Sequence, residues 1–358
     1  MKIMFYAWGL GKGGAERVIS VLTNEFSKQH DVSIVINSKD NIAYNINKNV
    51  TIYELDNKKA KNKIVSNLFR IINTKKIFKQ VLPDVIICFL PVPSFRALLC
   101  KGKISSKIIV CDRNDPKVEY AKIINKTLMK LLYKHADGFV FQTNEQKNFF
   151  DSKIQSKSII IRNPLKEEFL ADTNLKNRDN IIVNVGRLHQ QKNQKLLIDA
   201  FKNISDKFND YELRIFGDGP LHAELANYIK SQGLSRKVKL CGISDNIRDE
   251  LIKSKVFVLS SNYEGMPNAL IEAMATGLAC IATDCPCGGP RDLIENNVNG
   301  LLVKCNDVAD LTEKLELLLL NPKKIEQFGN NASKIRKILA TSIIVKEWLD
   351  YIDVINNK

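Results

Sequence analysis

The chain has 358 residues, of which 44% are apolar and 26% charged, and its formal net charge is +15. This length exceeds what one hydrophobic core usually supports, so we expect two domains. The composition is that of an ordinary globular protein and excludes a low-complexity chain, and no apolar run approaches the roughly 20 residues that a membrane-spanning helix needs.

Strand-like runs alternate with helix-length segments through the first half of the chain. This alternation is typical of a doubly wound α/β domain with a parallel sheet. The predicted strands are 2–8, 32–37, 51–55, 84–90, 107–111, 138–142 and 158–162, and the predicted helices include 14–29, 64–80, 119–135 and 143–152.

A turn at Asn163-Pro164, followed by a polar segment, predicts a linker near 164–180 and a second α/β domain after it. We therefore place domains at 1–165 and 166–335, with a final helical segment at 336–358. The predicted strands of the second domain are 180–186, 211–216, 237–241, 255–260, 279–283 and 300–303, and its helices include 193–207, 220–232, 268–276 and 307–319.

Cysteine usage and the first residues indicate the compartment. The chain has eight cysteines but no CxxC pair, and only four histidines, which argues against a zinc site. The sequence begins with a strand, KIMFYAW, rather than with a secretory signal. We expect a reduced, cytoplasmic protein whose cysteines are buried thiols.

The positive charge is concentrated in the first half. Residues 1–165 contain 28 Lys and Arg and 13 Asp and Glu, so they carry the whole net charge of +15. Such a distribution indicates contact with a polyanion or an anionic membrane surface. No recognised binding motif supports nucleic acid as that partner.

A basic segment near residues 58–79 leaves two interpretations open. A basic amphipathic helix can lie on anionic lipid, and an ordinary helix can pack its apolar side on the sheet while its solvent side is basic. Both can hold at once. Its cations are Lys58, Lys59, Lys61, Lys63, Arg70, Lys75, Lys76 and Lys79.

A glycine-rich loop follows the first strand. Gly9, Gly11 and Gly14 satisfy G-x-G-x-x-G between a strand and a helix, as in dinucleotide-binding folds. An NAD-dependent dehydrogenase is therefore the alternative function. The fingerprint also needs an acidic residue at the end of the second strand, whereas this strand ends in Asn37 and Asp31 precedes it. Close backbone approach and helix N–H groups would suit a phosphate or sugar hydroxyls instead.

Two clusters of the second half follow predicted strands at the edge where doubly wound folds bind ligands. The segment 185–193 contains Arg187 and Lys192 at the start of a helix, which suits a diphosphate. A solvated basic loop would give the same pattern. The segment 215–220 is explained by turn chemistry, and we interpret it as structural.

A third cluster, residues 260–275, contains two glutamates eight residues apart. Glu264 lies in the loop and Glu272 in the helix, where the surrounding residues are apolar. A charge at a buried position needs a partner or a function. Carboxylates can accept from the adjacent hydroxyls of a ribose or hexose, while the helix N-terminus can hold a phosphate. A binding module without catalysis would explain the charge of the chain but not this pair.

Together these motifs resemble the retaining glycosyltransferases of family four. The resemblance rests on GGAER at 13–17, GRL-x-x-x-K at 186–192 and E-x7-E at 264–272, and it runs through nearly the whole chain. It implies the GT-B fold, two Rossmann-like domains facing across a cleft, with the last helix crossing back to the first domain. The stretch 264–290 is similar to members that extend bacterial lipid-linked or surface glycans from UDP-sugars.

The resemblance implies that the second domain binds the donor. Glu272 would bind the ribose, Glu264 would contact sugar hydroxyls, and Arg187 and Lys192 would neutralise the leaving diphosphate. The loop around Gly242 to Ile247 would hold the base. The remaining donor-site residues implied are Gly186, Gly265, Met266, Pro267, Asn268 and Ala269.

The resemblance also implies an acceptor site in the first domain. Gly13, Gly14 and Glu16 belong to its loop. Many family members place a histidine near the transferred sugar, but the corresponding loop here is 111–116, so Arg113 and Asn114 are the candidates for that position.

The predicted reaction is transfer of a hexose or N-acetylhexosamine from a UDP-sugar to a glycan acceptor, with retention. No D-x-D sequence occurs, so we expect no metal and no cofactor. The predicted location is the cytoplasmic face of the cell membrane, with the protein peripherally bound.

Overall fold

The computed structural model describes residues 1–56, 62–102, 104–171 and 178–357, without the side chain of Lys63. The chain divides into two compact units. One comprises Met1–Pro164 together with Thr341–Lys358, and the other comprises Leu165–Ala340. Residues 172–177 of the predicted linker lie outside the described residues.

The first unit is built on a seven-stranded parallel sheet in the order β3-β2-β1-β4-β5-β6-β7. The seven strands predicted for this half are confirmed, each to within two residues. They are β1 (Lys2–Tyr6), β2 (Asp31–Ile36), β3 (Thr51–Glu54), β4 (Val85–Phe89), β5 (Lys107–Cys111), β6 (Gly138–Phe141) and β7 (Ser158–Ile160).

The helices of this unit connect successive strands. Those within the first 164 residues are α1 (Gly14–Phe26), α2 (Lys63–Val81), α3 (Pro91–Cys100), α4 (Pro116–Glu119), α5 (Ile123–Leu132), α6 (Asn144–Asn148) and α7 (Ser152–Gln155).

Two of the predicted helices are divided. The helix predicted over 119–135 is wrong as one element, because α4 ends before Tyr120, whose buried hydroxyl bonds Asp112 and Tyr133. The helix predicted over 143–152 is replaced by two helices, α6 and α7. The Asp151 side chain caps α7 by accepting from the Ile154 amide at 3.0 Å.

The two faces of the first sheet have different cores, because successive strand residues point to opposite sides. Met4 and Tyr6 pack in the cluster that also contains buried residues of α2, α3, α5 and α7. Phe5 points the other way, where its ring lies 5.8 Å from that of Phe26 of α1.

The second unit is built on a six-stranded parallel sheet in the order β10-β9-β8-β11-β12-β13. All six predicted strands are confirmed, each to within one residue. They are β8 (Ile181–Val185), β9 (Glu212–Phe216), β10 (Val238–Gly242), β11 (Val256–Leu259), β12 (Ala279–Thr283) and β13 (Leu301–Val303).

The core of this unit is rich in Leu, Ile and Val, and its helices lie between or after the strands in sequence. They are α8 (Gln194–Ile204), α9 (His222–Ser231), α10 (Ile247–Lys253), α11 (Asn268–Ala275), α12 (Gly289–Leu293), α13 (Val308–Leu319), α14 (Pro322–Ser333) and α15 (Ile335–Ile338).

The final helix, α16 (Thr341–Asn356), belongs to the first unit although it follows the second in sequence. Trp348 is fully buried, and its ring stacks on that of Phe89 at 6.4 Å. The Tyr351 hydroxyl accepts from the Phe139 amide at 2.9 Å. A Cβ atom at Gly138 would lie 2.5 Å from that hydroxyl, so a side chain at this position would displace Tyr351 from its place on the strand.

All eight cysteines are free thiols, and six of them are buried, as predicted. None of the described helices combines the length and apolarity that crossing a bilayer requires.

Candidate functional site

The strand order of the second sheet reverses direction between β8 and β11, which are hydrogen-bonded neighbours. Doubly wound folds bind ligands outside the carboxyl ends of strands at such a switch point. The two loops that leave these strands are 186–193 and 260–267. They contain most of the residues that the sequence predicted for the donor.

The β8 loop is supported from beneath by the turn after β9. The Gly186 amide donates to the Phe216 carbonyl at 2.9 Å. A Cβ atom at Gly217 would lie 2.0 Å from the Gly186 oxygen, and one at Gly219 would lie 2.4 Å from the Leu188 oxygen. Only glycine permits this close approach, in agreement with the structural interpretation of 215–220.

The β8 and β11 loops are joined by hydrogen bonds. The Asn262 amide donates to the Gln191 carbonyl at 2.7 Å, and the Gln191 side chain donates to the Tyr263 carbonyl at 3.0 Å. The Ser260 hydroxyl donates to the Lys192 carbonyl at 2.9 Å. These bonds hold the backbone that carries Lys192 against the backbone that carries Glu264.

An ion pair links the two loops at the side-chain level. The Lys192 ammonium donates to Oε1 of Glu264, which also accepts from the Ser261 hydroxyl at 2.6 Å. Glu264 is only 5% exposed. The aliphatic part of Lys192 lies over Gly186, where a Cβ atom would be 3.4 Å from Lys192 Cγ and Cδ. A buried carboxylate with a fixed cation is thus positioned at the switch point.

The β11 loop continues into α11 along a narrow path. The Glu264 amide donates to the Pro286 carbonyl at 2.7 Å, and the Cys287 amide donates to the Glu264 carbonyl at 3.1 Å. A Cβ atom at Gly289 would lie 1.6 Å from the Gly265 oxygen. The backbone of 264–265 is therefore clamped by the segment 286–289.

Helix α11 begins at Asn268 directly after this clamp. Its N-cap residue, Pro267, provides no side-chain acceptor for the first amides. Gly265, Met266 and Pro267 are buried, and Asn268 and Ala269 are half-buried. The positive end of the α11 dipole therefore lies at this compact, mostly apolar turn.

Glu272 lies in the second turn of α11 and is also 5% exposed. The structure thus buries both predicted carboxylates of the E-x7-E motif. Two other predicted donor residues differ in setting. Arg187 is exposed and its guanidinium pairs with no carboxylate among the described residues. Gly242 ends the edge strand β10, with φ of +68°, and its carbonyl accepts from the Gly217 amide at 2.7 Å.

The first sheet has its own switch point, between β1 and β4, and the glycine-rich loop leaves β1 there. Cβ atoms at Gly9 and Gly11 would meet nothing within 4 Å among the described residues. At Gly13, the N-cap of α1, a Cβ atom would lie 2.1 Å from a Glu16 carboxylate oxygen, and Gly14 is exposed. Burial raises the pKa of this Glu16 carboxyl.

This geometry gives no support to the dinucleotide alternative. The Glu16 carboxylate lies at the start of α1, where a diphosphate would have to bind and would be repelled. Asp31 begins β2 and so lies at the opposite edge of the sheet from the loop. At the carboxyl end of β2, Asn37 accepts from Arg96 at 3.0 Å.

Arg113 does not present its guanidinium at the surface. It is 9% exposed and lies over the rings of Phe89 and Trp348, 4.7 and 5.6 Å from their centroids. Its Nη1 donates to Asn163 at 3.2 Å, and desolvation lowers its pKa. The reason is α16, which brings Trp348 onto this loop. Asn114 is half-buried and donates to Glu119 at 2.9 Å.

Sequence reasoning missed Asp112, which directly precedes Arg113. It accepts from the Tyr120 hydroxyl at 2.8 Å and lies beside Tyr133. Complete burial raises its pKa to about 7, although hydrogen bonds from the two tyrosines and the Arg113 charge oppose this. The sequence feature that could have identified Asp112 is its position directly after the apolar strand β5. Ser261, which bonds Glu264, was missed for want of any distinctive motif.

Two family descriptions match the chain. Residues 166–335 match "Glycosyl transferases group 1", and residues 14–143 match "Glycosyl transferase 4-like".

Two relatives from Campylobacter jejuni span essentially the full length. One is an N-acetylgalactosamine-N,N'-diacetylbacillosaminyl-diphospho-undecaprenol 4-alpha-N-acetylgalactosaminyltransferase, 30% identical over 98% of this chain and 99% of the relative. The other is an alpha-1,4-N-acetyl-D-galactosaminyltransferase named for a longer diphospho-undecaprenol-linked glycan, 29% identical over 100% of this chain and 99% of the relative.

Among solved structures, HepE of Anabaena in complex with UDP is similar with a TM-score of 0.84. The identity is 16%, and the match covers 99% of this chain and 100% of that one.

Proposed function

Because the chain belongs to the family-four glycosyltransferases, with two α/β units in the GT-B fold, we propose that it transfers a hexose or N-acetylhexosamine from a UDP-sugar to a glycan acceptor. The donor nucleotide is assigned to the second unit. UDP is favoured because HepE, which shares the fold, was solved with UDP.

The observation that carries the donor assignment is the ion pair between Lys192 and Glu264 at the switch point of the second sheet. The Glu264 carboxylate accepts side-chain hydrogen bonds from Lys192 and Ser261, and among the described residues both of these bonds end on Oε1. The second carboxylate oxygen is then the acceptor that we assign to a donor-sugar hydroxyl. Glu272, buried in α11, is assigned to the ribose.

Leaving-group stabilisation follows from the same arrangement. An ammonium has three donors, so Lys192 can bond the diphosphate while it keeps Glu264. Arg187, exposed and unpaired among the described residues, supplies the second cation, and the first amides of α11 add the positive end of a dipole. Fixed charges of this kind stabilise the diphosphate as its negative charge develops.

We further propose that transfer proceeds with retention and without a metal ion. Lys192 and Arg187 would replace a divalent cation at the diphosphate, and the donor phosphate would take the proton of the acceptor hydroxyl. Determination of the product anomer by NMR, and rates measured with and without a chelator, test the two parts separately. An inverted product would refute the first, and activity abolished by chelation and restored by Mg²⁺ would refute the second.

Calorimetric titration with UDP, GDP, ADP and NAD tests the nucleotide assignment. We expect UDP to bind, and Glu272→Ala to lose that binding because a ribose contact is removed. Lys195→Met is the matched control, since Lys195 lies on α8 over the Tyr228 ring, outside the site. Binding of NAD with indifference to UDP would overturn the proposal.

The acceptor is assigned to the first unit. Both Campylobacter relatives are named for diphospho-undecaprenol-linked acceptors, and we propose a lipid-linked or surface glycan here. Gly9 and Gly11 face open space rather than neighbouring atoms, so their lack of side chains suits close approach by a ligand. The half-buried Glu16 carboxylate favours sugar hydroxyls over phosphate at this loop.

A lipid-linked acceptor requires contact with a membrane surface, and we assign that contact to α2. Its first half exposes Ile64 (79%), Leu68 (58%) and Ile72 (52%), whereas Ile77 and Phe78 in its second half are buried. The helix thus packs on the sheet at one end and leaves an apolar stripe at the other. The protein would then act peripherally at the cytoplasmic face.

The cations predicted for this segment are not all available for contact with lipid. Arg70 is bound to Asp56 at 2.5 Å and is not available to lipid. Lys58, Lys59 and Lys61 lie outside the described residues, as does the side chain of Lys63. Vesicle flotation with Ile64→Ser/Leu68→Ser tests the contact. We expect weaker binding to anionic vesicles, and unchanged flotation would remove the assignment to α2.

A further inference from the structure

A pocket lies in the first unit, away from the glycine-rich loop. It is a cavity of about 380 Å³ between α5, the turn that follows it, and the segment 149–154. Its apolar lining comprises Met129, Phe149, Phe150 and Ile154. This volume lies at the lower end of ligand pockets, roughly 300–1,000 Å³, and suits part of a lipid rather than an oligosaccharide.

The position of the cavity separates it from the proposed acceptor loop. Helix α5 leads through the turn Tyr133–His135 to the start of β6, and α7 leads to the start of β7. The cavity therefore borders the amino ends of two strands. The glycine-rich loop follows the carboxyl end of β1, at the opposite edge of the same sheet. Nothing in the proposed transfer reaction uses this edge.

Four lysines surround the opening. Lys126, Lys130 and Lys134 recur at intervals of four residues along α5 and its extension, and Lys153 comes from the opposite wall. All four are exposed. No described residue forms an ion pair with any of them. Such spacing places side chains on one side of a helix.

The one acid of the lining offsets only part of this charge. Asp151 lines the same cavity, but its carboxylate accepts from the Ile154 amide at 3.0 Å and caps α7. Four cations therefore face one carboxylate, which leaves three positive charges unbalanced among the lining residues. Unpaired like charges around one opening repel each other, and an anion bound there would relieve this repulsion.

The exposed apolar residues of α5 indicate the source of that anion. Ile123 is 82% exposed and lies three residues before Lys126, on the same side of the helix. Ile124 (73%) and Leu131 (54%) are exposed as well. A free phosphate would use the lysines but neither the apolar lining nor these side chains, whereas a bilayer surface would use all three.

We propose that this cavity binds an anionic phospholipid of the membrane, with the phosphate on the lysine rim and the adjoining chain on the apolar lining. The site deepens the membrane contact proposed for α2 and is independent of the donor assignment. The cavity would hold one lipid at a defined place beside α5, in addition to the general electrostatic attraction between the basic unit and an anionic bilayer.

The test compares Lys130→Gln/Lys134→Gln with the charge-matched control Lys39→Gln/Lys48→Gln, which removes two exposed lysines elsewhere in the first unit. Flotation uses phosphatidylcholine vesicles with and without phosphatidylglycerol. We expect the cavity variant to lose roughly 30-fold in affinity for the anionic vesicles, from about 1 kcal/mol for each lysine near an anionic surface, and the control to lose less than about threefold.

A second measurement distinguishes a lipid site from general attraction. Dihexanoyl phosphatidylglycerol below its micelle concentration should bind the wild type and protect the amides of 149–154 from hydrogen exchange, and millimolar inorganic phosphate should not displace it. Ile64→Ser/Leu68→Ser should leave this binding unchanged, and UDP titration should be unaffected in every variant. Equal losses in both lysine variants, or full displacement by phosphate, would overturn the proposal.

Discussion

The two switch points of the molecule share a topology but are completed differently. In the second unit the chain itself holds the loops. Lys192 pairs with Glu264, and Gly289 closes on Gly265 so tightly that no side chain fits. In the first unit a Cβ atom at Gly9 or Gly11 of the loop after β1 would meet nothing within 4 Å among the described residues, and the Glu16 carboxylate lies beside Gly13 at the start of α1.

This difference suggests a division of labour. A diphosphate leaving group is stabilised by charges that are fixed before it arrives, so a rigid donor site is an advantage. A growing glycan varies in length and needs room. In the first unit the buried contacts lie elsewhere. Arg113, in the loop after β5, packs over the rings of Phe89 and Trp348, which stack on each other.

The largest predicted effect tests whether these buried contacts belong to the first unit alone. Trp348→Ala removes a fully buried ring, and such truncations cost about 3–5 kcal/mol. Hydrogen exchange should show faster exchange at β4 and β6, while β8 and β11 remain as in the wild type. Leu99→Ala, at a half-exposed position of α3, is the control and should change little. Equal acceleration in both sheets would mean that the units do not differ as described.

A pair of glycine substitutions addresses the loops directly. Gly289→Ala would place a methyl group 1.6 Å from the Gly265 oxygen, and we expect about 1–3 kcal/mol of destabilisation together with weaker UDP binding. Gly11→Ala meets no neighbour within 4 Å, so it should leave stability unchanged and lower only transfer to the acceptor. Thermal unfolding and transfer assays measure both. A stability loss in Gly11→Ala would contradict the contrast.

Another prediction concerns the pH dependence of stability. Burial raises the pKa of Asp112 to about 7, against roughly 3.9 in an unfolded chain. The folded state therefore holds the proton over this range, and stability should fall as pH rises from about 4 to about 7, by at most about 1.4 kcal/mol per pH unit. Above pH 7 the effect is constant.

Asp112→Asn removes this titration and should flatten the profile relative to the wild type. Denaturant unfolding of both proteins between pH 5 and 8 measures the difference. A wild-type slope that persists in the variant would assign the titration to another group.

The sequence was sufficient for the sheets, because buried parallel strands appear as continuous apolar runs. It failed where distant contacts decide. The helix predicted over 119–135 is interrupted since Tyr120 turns inward to Asp112, and Arg113 is buried by Trp348 of the last helix. The motifs identified Lys192 and Glu264, but no spacing rule places an ammonium on a carboxylate 72 residues away. Likewise, the sequence did not show that packing leaves no room for a side chain at Gly289, whereas a Cβ atom at Gly11 would meet no described neighbour.

The most direct test of the account is a double-mutant cycle on the pair that joins the two loops proposed to bind the donor. Lys192→Met, Glu264→Gln and the double variant are compared by transfer rate and UDP affinity, with Lys195→Met as the control. We predict that each single substitution lowers the transfer rate about 100-fold or more, and that the double variant loses much less than the product, because the residues act as one unit. Full activity in either single variant, or strictly multiplicative losses, would contradict a donor site preorganised by this ion pair.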